Sequence, residues 1–131
     1  MPNYTALVTL LAIALYFYTG LLVAKARAKF GVQAPATTGH PDFERVFRVQ
    51  MNTLEWMPIF LPLLWLFAFY LSDRGAAVLG LLWIASRVVY LVRYTEAAER
   101  RGIGFTLQAA VCGLLLVGAL IGIGKTFIHV A

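Results

Sequence analysis

Residues 43–58, FERVFRVQMNTLEWMP, decide how the chain is interpreted, because charged and amide side chains here lead directly into a long apolar run. Placed at 100° per residue of an α-helix, five polar side chains fall within a sector of about 100°: Glu44, Arg45, Arg48, Asn52 and Glu55. Gln50 falls on roughly the opposite side. Ionisable groups at membrane depth are costly, so they line a functional site or pair with one another. The stripe therefore predicts a site, with purely structural ion pairing as the alternative.

Composition assigns the chain to the membrane. Of its 131 residues, 61% are hydrophobic and only 13% are charged, which is too little polar surface for a soluble domain of this length. The net charge of +5 does not indicate nucleic acid as a partner, because the basic residues cluster in two short connections. Cys112 is the single cysteine, and His40 and His129 are far apart, so no disulfide framework and no metal site is predicted.

Long uncharged runs predict the fold class: an all-α integral membrane four-helix bundle forming one domain, residues 1–131. Residues 7–24 are almost entirely apolar, residues 59–71 are uncharged, and a 23-residue stretch at 102–124 carries no charge. About 20 apolar residues suffice to span a bilayer. The four helices are predicted at about residues 4–27, 42–72, 76–100 and 104–127, with residues 73–75 forming a short turn.

The distribution of basic residues predicts the orientation. Four spans place both termini on one side, together with two basic residues, Arg74 and Lys125. The side of loops one and three holds eight: Lys25, Arg27, Lys29, Arg45, Arg48, Arg93, Arg100 and Arg101. Loops one and three are therefore expected in the cytoplasm. The expected host is a bacterial inner membrane, or the endoplasmic reticulum membrane if the source is eukaryotic.

Helix three carries a second stripe. Arg87, Tyr90, Tyr94 and Arg101 fall within a sector of about 60° if the helix continues that far, whereas two neighbouring arginines point away from it. The alternative is an interfacial aromatic belt with snorkelling arginines. Because helices two and three run in opposite directions, both stripes approach the same membrane surface. A pocket between them would be cationic, with one or two carboxylates, and would suit a small polyanion bearing one amine.

These residues carry a family resemblance. Residues 43–58 resemble the signature FERVxRxQxNxxE of the MAPEG family, the membrane-associated proteins in eicosanoid and glutathione metabolism. Residues 25–43, KARAKFGVQAPATTGHPDF, and 87–101, RVVYLVRYTEAAERR, are similar to that family's first loop and third helix. The similarity covers nearly the whole chain. It is greatest with the branch of microsomal glutathione transferases and leukotriene-forming enzymes.

The resemblance implies a homotrimer that binds glutathione, as a co-substrate, between neighbouring subunits, with no metal. It implies that the tripeptide is held by residues of one subunit, with two more reaching it from the adjacent subunit. The first group is Arg48, Asn52, Glu55, Trp56, Arg87, Tyr90 and Tyr94, and the second group is Arg27 and Gln50. Arg101 matches the arginine that faces the glutathione sulfur, which makes it the implied catalytic residue.

Physical chemistry supplies a role for Arg101. A free thiol has a pKa of about 8.5, so little of it is thiolate at neutral pH. A fixed guanidinium does not lose its proton and favours the thiolate, which is the nucleophile. The expected reaction adds this sulfur to a lipophilic electrophile arriving from the membrane lipid. The second expected activity is reduction of lipid hydroperoxides.

Two positions depart from the family pattern. Trp56 stands where the family commonly has tyrosine, and Gly113 stands where the leukotriene-forming enzymes have tryptophan over the lipid substrate. A broad detoxifying role therefore fits better than narrow leukotriene specificity. The alternatives are a non-catalytic lipid-binding module that resembles the lipoxygenase-activating protein, and a structural or transport protein whose arginines form ion pairs.

Overall fold

Four long helices make up the described part of the computed structural model, which covers residues 1–97, 99 and 102–130. They are α1 (Asn3–Phe30), α2 (Pro41–Tyr70), α3 (Asp73–Glu96) and α4 (Gly102–Val130). Each is long and apolar enough to cross a membrane. The all-helical, four-span prediction is therefore confirmed.

Local capping sets helix boundaries that the apolar runs do not show. The Ser72 Oγ accepts a hydrogen bond from the N–H of Gly75 at 2.9 Å. Because this N-cap satisfies a free backbone donor, residues 73–75 form the first turn of α3 rather than the separate turn predicted. At the other end, Ala97 is extended (φ −159°, ψ 133°), and α3 ends at Glu96. Helix α3 is therefore shorter than the predicted range of about 76–100, and residues 98 and 100 lie outside the described residues.

Helices α1 and α4 extend slightly beyond the predicted limits, whereas α2 begins one residue earlier and ends two residues earlier than predicted. Helix α1 continues to Phe30, where Gly31 adopts φ 67° and its N–H bonds to the carbonyl of Arg27. A left-handed residue at this position ends a helix at little cost when it is glycine. Helix α2 begins at Pro41, where His40 caps it by accepting from the N–H of Asp42 at 3.1 Å.

The N-termini of α1 and α3 are tied together at one end of the bundle. The Asp73 carboxylate accepts hydrogen bonds from the Thr5 N–H (2.9 Å) and hydroxyl (2.7 Å), and from the Tyr4 N–H at 3.2 Å. The Asp73 side chain thus satisfies free N–H groups at the start of α1, and Asp73 is itself the first residue of α3. A negative charge is favourable at the N-termini of both helices. The two helices therefore start at the same end, as an up-and-down order requires.

The core lies where α2 and α3 pack against α4. The rings of Phe60 and Trp83 stack with centroids 3.9 Å apart, and Leu64 and Leu115 are fully buried around them. Large apolar side chains such as Leu10, Phe17 and Leu120 remain exposed on the outside. This outer surface suits lipid as the surrounding solvent.

Glycine lets α4 approach the helix that carries the tyrosines. A Cβ at Gly104 would lie 2.5 Å from the backbone nitrogen of Tyr90 and 2.6 Å from its Cα. No flexible side chain can move aside there, because the clash is with backbone. Small residues at helix contacts are a general means of close approach in membranes. The position of α4 relative to Tyr90 therefore depends on Gly104.

We expect Gly104→Ala to destabilise the protein by about 1–3 kcal/mol, because the added methyl forces α4 away from α3. The matched control is Gly113→Ala, since a Cβ at Gly113 meets nothing within 4 Å. This control removes a helical glycine and should be neutral or stabilising by up to about 1 kcal/mol. Thermal unfolding of both variants in one detergent tests the difference. Equal midpoints would contradict the close-packing role.

Candidate functional site

Only the inner part of the α2 stripe forms the candidate site. Arg48 and Glu55 make an ion pair of 3.2 Å, and both side chains are about half exposed, at 50% and 53%. Asn52 lies between them on the same helical face and is 7% exposed. An exposed cation and an exposed carboxylate thus share one face of α2 with a largely buried amide. The structure brings these three predicted residues together.

The outer two residues of the stripe serve the ends of the helices. Arg45 pairs with Asp42, and its Nε donates to the carbonyl of Thr95 at 3.4 Å. The Glu44 Oε2 accepts from the Gly39 N–H at 3.3 Å. Both side chains therefore stabilise the beginning of α2, and Arg45 also links it to the end of α3.

Arg87 lies inside the bundle rather than at its surface. It is 2% exposed. Its Nη1 donates to the Asn52 Oδ1 at 2.8 Å, and its Nη2 donates to the Thr53 Oγ1, also at 2.8 Å. The guanidinium lies 4.4 Å from the ring centroid of Tyr90. Arg87 therefore joins α3 to α2 beneath the surface residues.

Aromatic rings form the neighbouring wall. Tyr90 and Tyr94 stack with centroids 5.4 Å apart, and Tyr90 is 1% exposed. Phe105 of α4 lies 6.4 Å from Tyr90 and 5.6 Å from Trp56, the latter edge to face. Trp56 therefore belongs to the aromatic packing between α2 and α4. The indole N–H of Trp56 has no hydrogen bond among the described residues.

Gln50 and Arg27 lie elsewhere. Gln50 lines a groove of about 270 Å³ against α1, and its Nε2 lies 3.4 Å from the position of a Cβ on Gly20. Arg27 donates to the carbonyl of Ala36 at 2.7 Å and lies 5.0 Å from the ring centroid of Phe43. Neither makes a hydrogen bond to the Arg48–Glu55 pair within the described chain. Gln50 and Arg27 therefore lie apart from the group formed by Arg48, Asn52 and Glu55.

Arg101, the predicted catalytic residue, lies outside the described residues. The helical-wheel argument that placed it beside the tyrosines required α3 to continue beyond Tyr94 as far as Arg101. Because α3 ends at Glu96, that argument no longer applies. The assignment of Arg101 now depends on the family resemblance and on its chemistry.

Sequence reasoning missed two buried polar side chains. Thr53 anchors Arg87 from the side of α2, and Gln108 of α4 accepts from the indole N–H of Trp83 at 3.0 Å. Gln108 is completely buried, and its Nε2 has no partner among the described residues. The signal was available, because Gln108 is the one amide in the uncharged run of α4. Thr53 gave no such signal, since threonine is common in any membrane helix.

Among the described residues, no group of three or more His, Cys, Asp or Glu side chains could hold a metal ion. A cavity of about 520 Å³ lies between the ends of α1, α2 and α3 and includes Lys25, Lys29 and Arg45 in its wall. It contains none of the predicted glutathione residues. The Arg48–Glu55 face is instead an open surface.

Comparisons with known proteins identify the family of the chain. The profile of the MAPEG family matches residues 5–121. The chain is 52% identical over 118 residues to an uncharacterised protein of Synechocystis sp., covering 90% of this chain and 86% of that one. It is 42% identical over 123 residues to microsomal glutathione S-transferase 2 of Homo sapiens, covering 94% of this chain and 84% of the relative.

A third relative is leukotriene C4 synthase of Cavia porcellus, with 38% identity over 126 residues, 96% of this chain and 84% of the relative. These matches cover nearly the full length of the chain, including α2 and α3. Together with the four apolar helices, they show that the chain is a multi-pass membrane protein of the MAPEG family.

Proposed function

We propose that the protein is a membrane glutathione S-transferase that binds glutathione as its thiolate and adds the sulfur to lipophilic electrophiles from the bilayer. Family membership and the glutathione S-transferase and leukotriene C4 synthase relatives support a glutathione-related membrane enzyme. Reduction of lipid hydroperoxides by glutathione is a second activity of the same proposed site.

The ion pair of Arg48 and Glu55 is the observation that carries the proposal. Glutathione has one ammonium group and two carboxylates. A site that offers a guanidinium and a carboxylate 3.2 Å apart can exchange its internal ion pair for these opposite charges. Glu55 would take the ammonium group and Arg48 a carboxylate. Because both side chains are half exposed, opening the pair costs little before the ligand arrives.

The reaction needs a thiolate, which Arg101 would stabilise. The electron pair of the thiolate sulfur forms the new bond to the electrophilic carbon. The thiol proton leaves to solvent or to the product, and any leaving group departs with its bonding electrons. Arg101 holds a permanent charge, so it stabilises the anion without itself exchanging a proton. This role comes from the family resemblance and from thiol chemistry.

The two groups of site residues support assembly from several copies. Gln50 and Arg27 lie away from the Arg48–Glu55 face. A second copy could supply these two side chains to the open face of the first. The proposed assembly is the homotrimer that the family resemblance implies. The distribution of basic residues supports placing loops one and three, and the site near them, on the cytoplasmic side.

The first experiment measures the ultraviolet absorbance of thiolate while the detergent-purified protein is titrated with glutathione. A saturable thiolate signal would establish binding and activation. Its absence in folded protein would overturn the transferase proposal and favour the lipid-binding module. Conjugation of a lipophilic electrophile and reduction of a lipid hydroperoxide are then measured on the same preparation.

We expect Arg101→Ala to lower turnover by on the order of 10-fold or more, because each unit by which the thiol pKa rises removes a tenfold share of thiolate. Glutathione affinity should change far less, since the thiol contact is a small part of binding. The thiolate signal should disappear in this variant. The control is Arg93→Ala, an exposed arginine in the last turn of α3. Unchanged turnover of Arg101→Ala would refute its role.

Arg48→Ala should chiefly weaken glutathione binding, by at least about 10-fold, because one charge-assisted hydrogen bond contributes roughly 1.5–3 kcal/mol. The matched control is Arg45→Ala. It removes an arginine one turn earlier, whose contacts are with Asp42 and Thr95. Isothermal titration of glutathione compares the two. If Arg45→Ala weakened binding as strongly as Arg48→Ala, the assignment of the site to the inner stripe would be wrong.

Subunit sharing is tested by mixing two impaired variants. Arg48→Ala and Gln50→Ala chains carry different affinity tags and are co-expressed, and assemblies containing both tags are purified. If each site uses Arg48 of one copy and Gln50 of the next, some sites in the mixture contain both native residues. Activity should then exceed that of either variant alone. Activity no higher than the average of the two would contradict a shared site.

A further inference from the structure

Arg87 is too deeply enclosed to bind the ligand directly. Only 2% of it is exposed, and both terminal nitrogens already donate hydrogen bonds of 2.8 Å. The ring of Tyr90 covers one side, 4.4 Å from the guanidinium carbon. Sequence reasoning assigned Arg87 a direct contact with glutathione, but this burial leaves no room for one. Any effect of Arg87 on glutathione is therefore indirect. Its effect on a ligand must pass through a side chain that it holds.

Asn52 is the side chain that can transmit this effect. Arginine only donates hydrogen bonds, so the Asn52 atom facing it must be the carbonyl oxygen. The amide nitrogen consequently points the other way. Among the described residues this Nδ2 donates no hydrogen bond, and it is absent from the fully buried unpaired atoms. The accessible part of Asn52 is therefore a hydrogen-bond donor.

This donor lies at the centre of the proposed site. Arg48 precedes Asn52 by four residues and Glu55 follows it by three, so all three share one face of α2. An acceptor held by Arg48 would lie close to the Asn52 amide. If the amide were free to rotate, it would present its oxygen half the time and repel such an acceptor. Fixing its orientation thus favours a carboxylate over an amine at this position.

We propose, building on the proposed function, that Arg87 is a positioning residue: it locks Asn52 so that its amide donates to a carboxylate of glutathione. Thr53 holds the other end of the guanidinium fork and is itself 2% exposed. Its hydroxyl donates to the carbonyl of Val49 at 2.7 Å, so it has no proton left for a ligand. Thr53 therefore supports Arg87 without touching the site.

Burying the guanidinium of Arg87 costs stability, which indicates that it has a functional role. Its Nε is buried and has no hydrogen-bond partner among the described residues. An unpaired buried donor destabilises a protein, and a buried charge is costly in a membrane. An apolar side chain would pack in the bundle without this penalty. Positioning of Asn52 is a function that an apolar residue could not replace.

Asn52→Asp provides the test, because aspartate has nearly the same shape. One carboxylate oxygen still accepts from Arg87, so the variant should fold with an unchanged or higher thermal midpoint. The other oxygen replaces the outward donor and repels a ligand carboxylate. We expect the glutathione Kd to rise at least about 10-fold, as expected when a charged hydrogen bond is lost. A Kd equal to that of the native protein would overturn the proposal.

Thr53→Val is the matched structural control, since it removes the second hydrogen bond of Arg87 at the same volume. It should lower the thermal midpoint while leaving the glutathione Kd within about twofold. A Kd raised as much as in Asn52→Asp would show that binding follows general stability, and this would overturn the proposal.

A double-mutant cycle tests the path from Arg87 to the ligand. Arg87→Gln should raise the glutathione Kd in the native background and have little further effect in Asn52→Ala, because the residue through which it acts is gone. Equal effects in both backgrounds would show independent action and overturn the proposal. Arg87→Lys replaces Arg87→Gln in the cycle if the latter does not fold.

The titration of the native protein separates the two proposals. No binding of glutathione by the native protein would refute the proposed function together with this inference. Normal binding combined with full affinity of Asn52→Asp would refute only the positioning role.

Discussion

The hydrogen bonds from Arg87 to Asn52 and Thr53 connect the membrane-embedded bundle to its candidate site. They cross from α3 to α2 inside the bundle, where Arg87, Asn52 and Thr53 are each at most 7% exposed. In such surroundings a hydrogen bond is strong and an unmade one is expensive. These bonds therefore fix the position of α2 relative to α3. The residues on the exposed face of α2 are fixed relative to α3 in the same way.

Above this buried layer, the surface residues are less constrained. The Arg48–Glu55 ion pair is half exposed, so solvent weakens it and a charged ligand can replace it. The division suits binding: rigid polar contacts below fix the direction of Asn52, while the accessible charges above remain free to exchange partners. The aromatic wall of Tyr90 and Tyr94 limits the site on the side of α3.

Helix α4 completes the arrangement through close packing rather than charge. Gly104 allows its backbone to contact that of Tyr90, which brings Phe105 against Tyr90 and Trp56. The outside of the same helix exposes leucines to lipid. A lipophilic substrate moving within the bilayer would meet this apolar surface beside the polar face of α2. The proposed reaction joins one substrate from each environment.

The sequence by itself determined the four membrane spans, the family and the face of α2 that carries Arg48, Asn52 and Glu55. Those properties depend on apolar length and on a local helical period, which are visible one segment at a time. The separation of Gln50 from the stripe also followed from that period, and the structure agrees with it.

Tertiary structure alone decided which polar groups reach the surface. Arg87 and Arg48 look alike in sequence, yet one is buried beneath Asn52 and the other is exposed, because burial depends on the neighbouring helix. Arg45 shares the stripe with Arg48 but is held at a helix end by Asp42 and Thr95. The end of α3 at Glu96 likewise could not be inferred from helical periodicity. The helical spacing of Arg87, Tyr90, Tyr94 and Arg101 extends in the sequence past Ala97, where the backbone is extended.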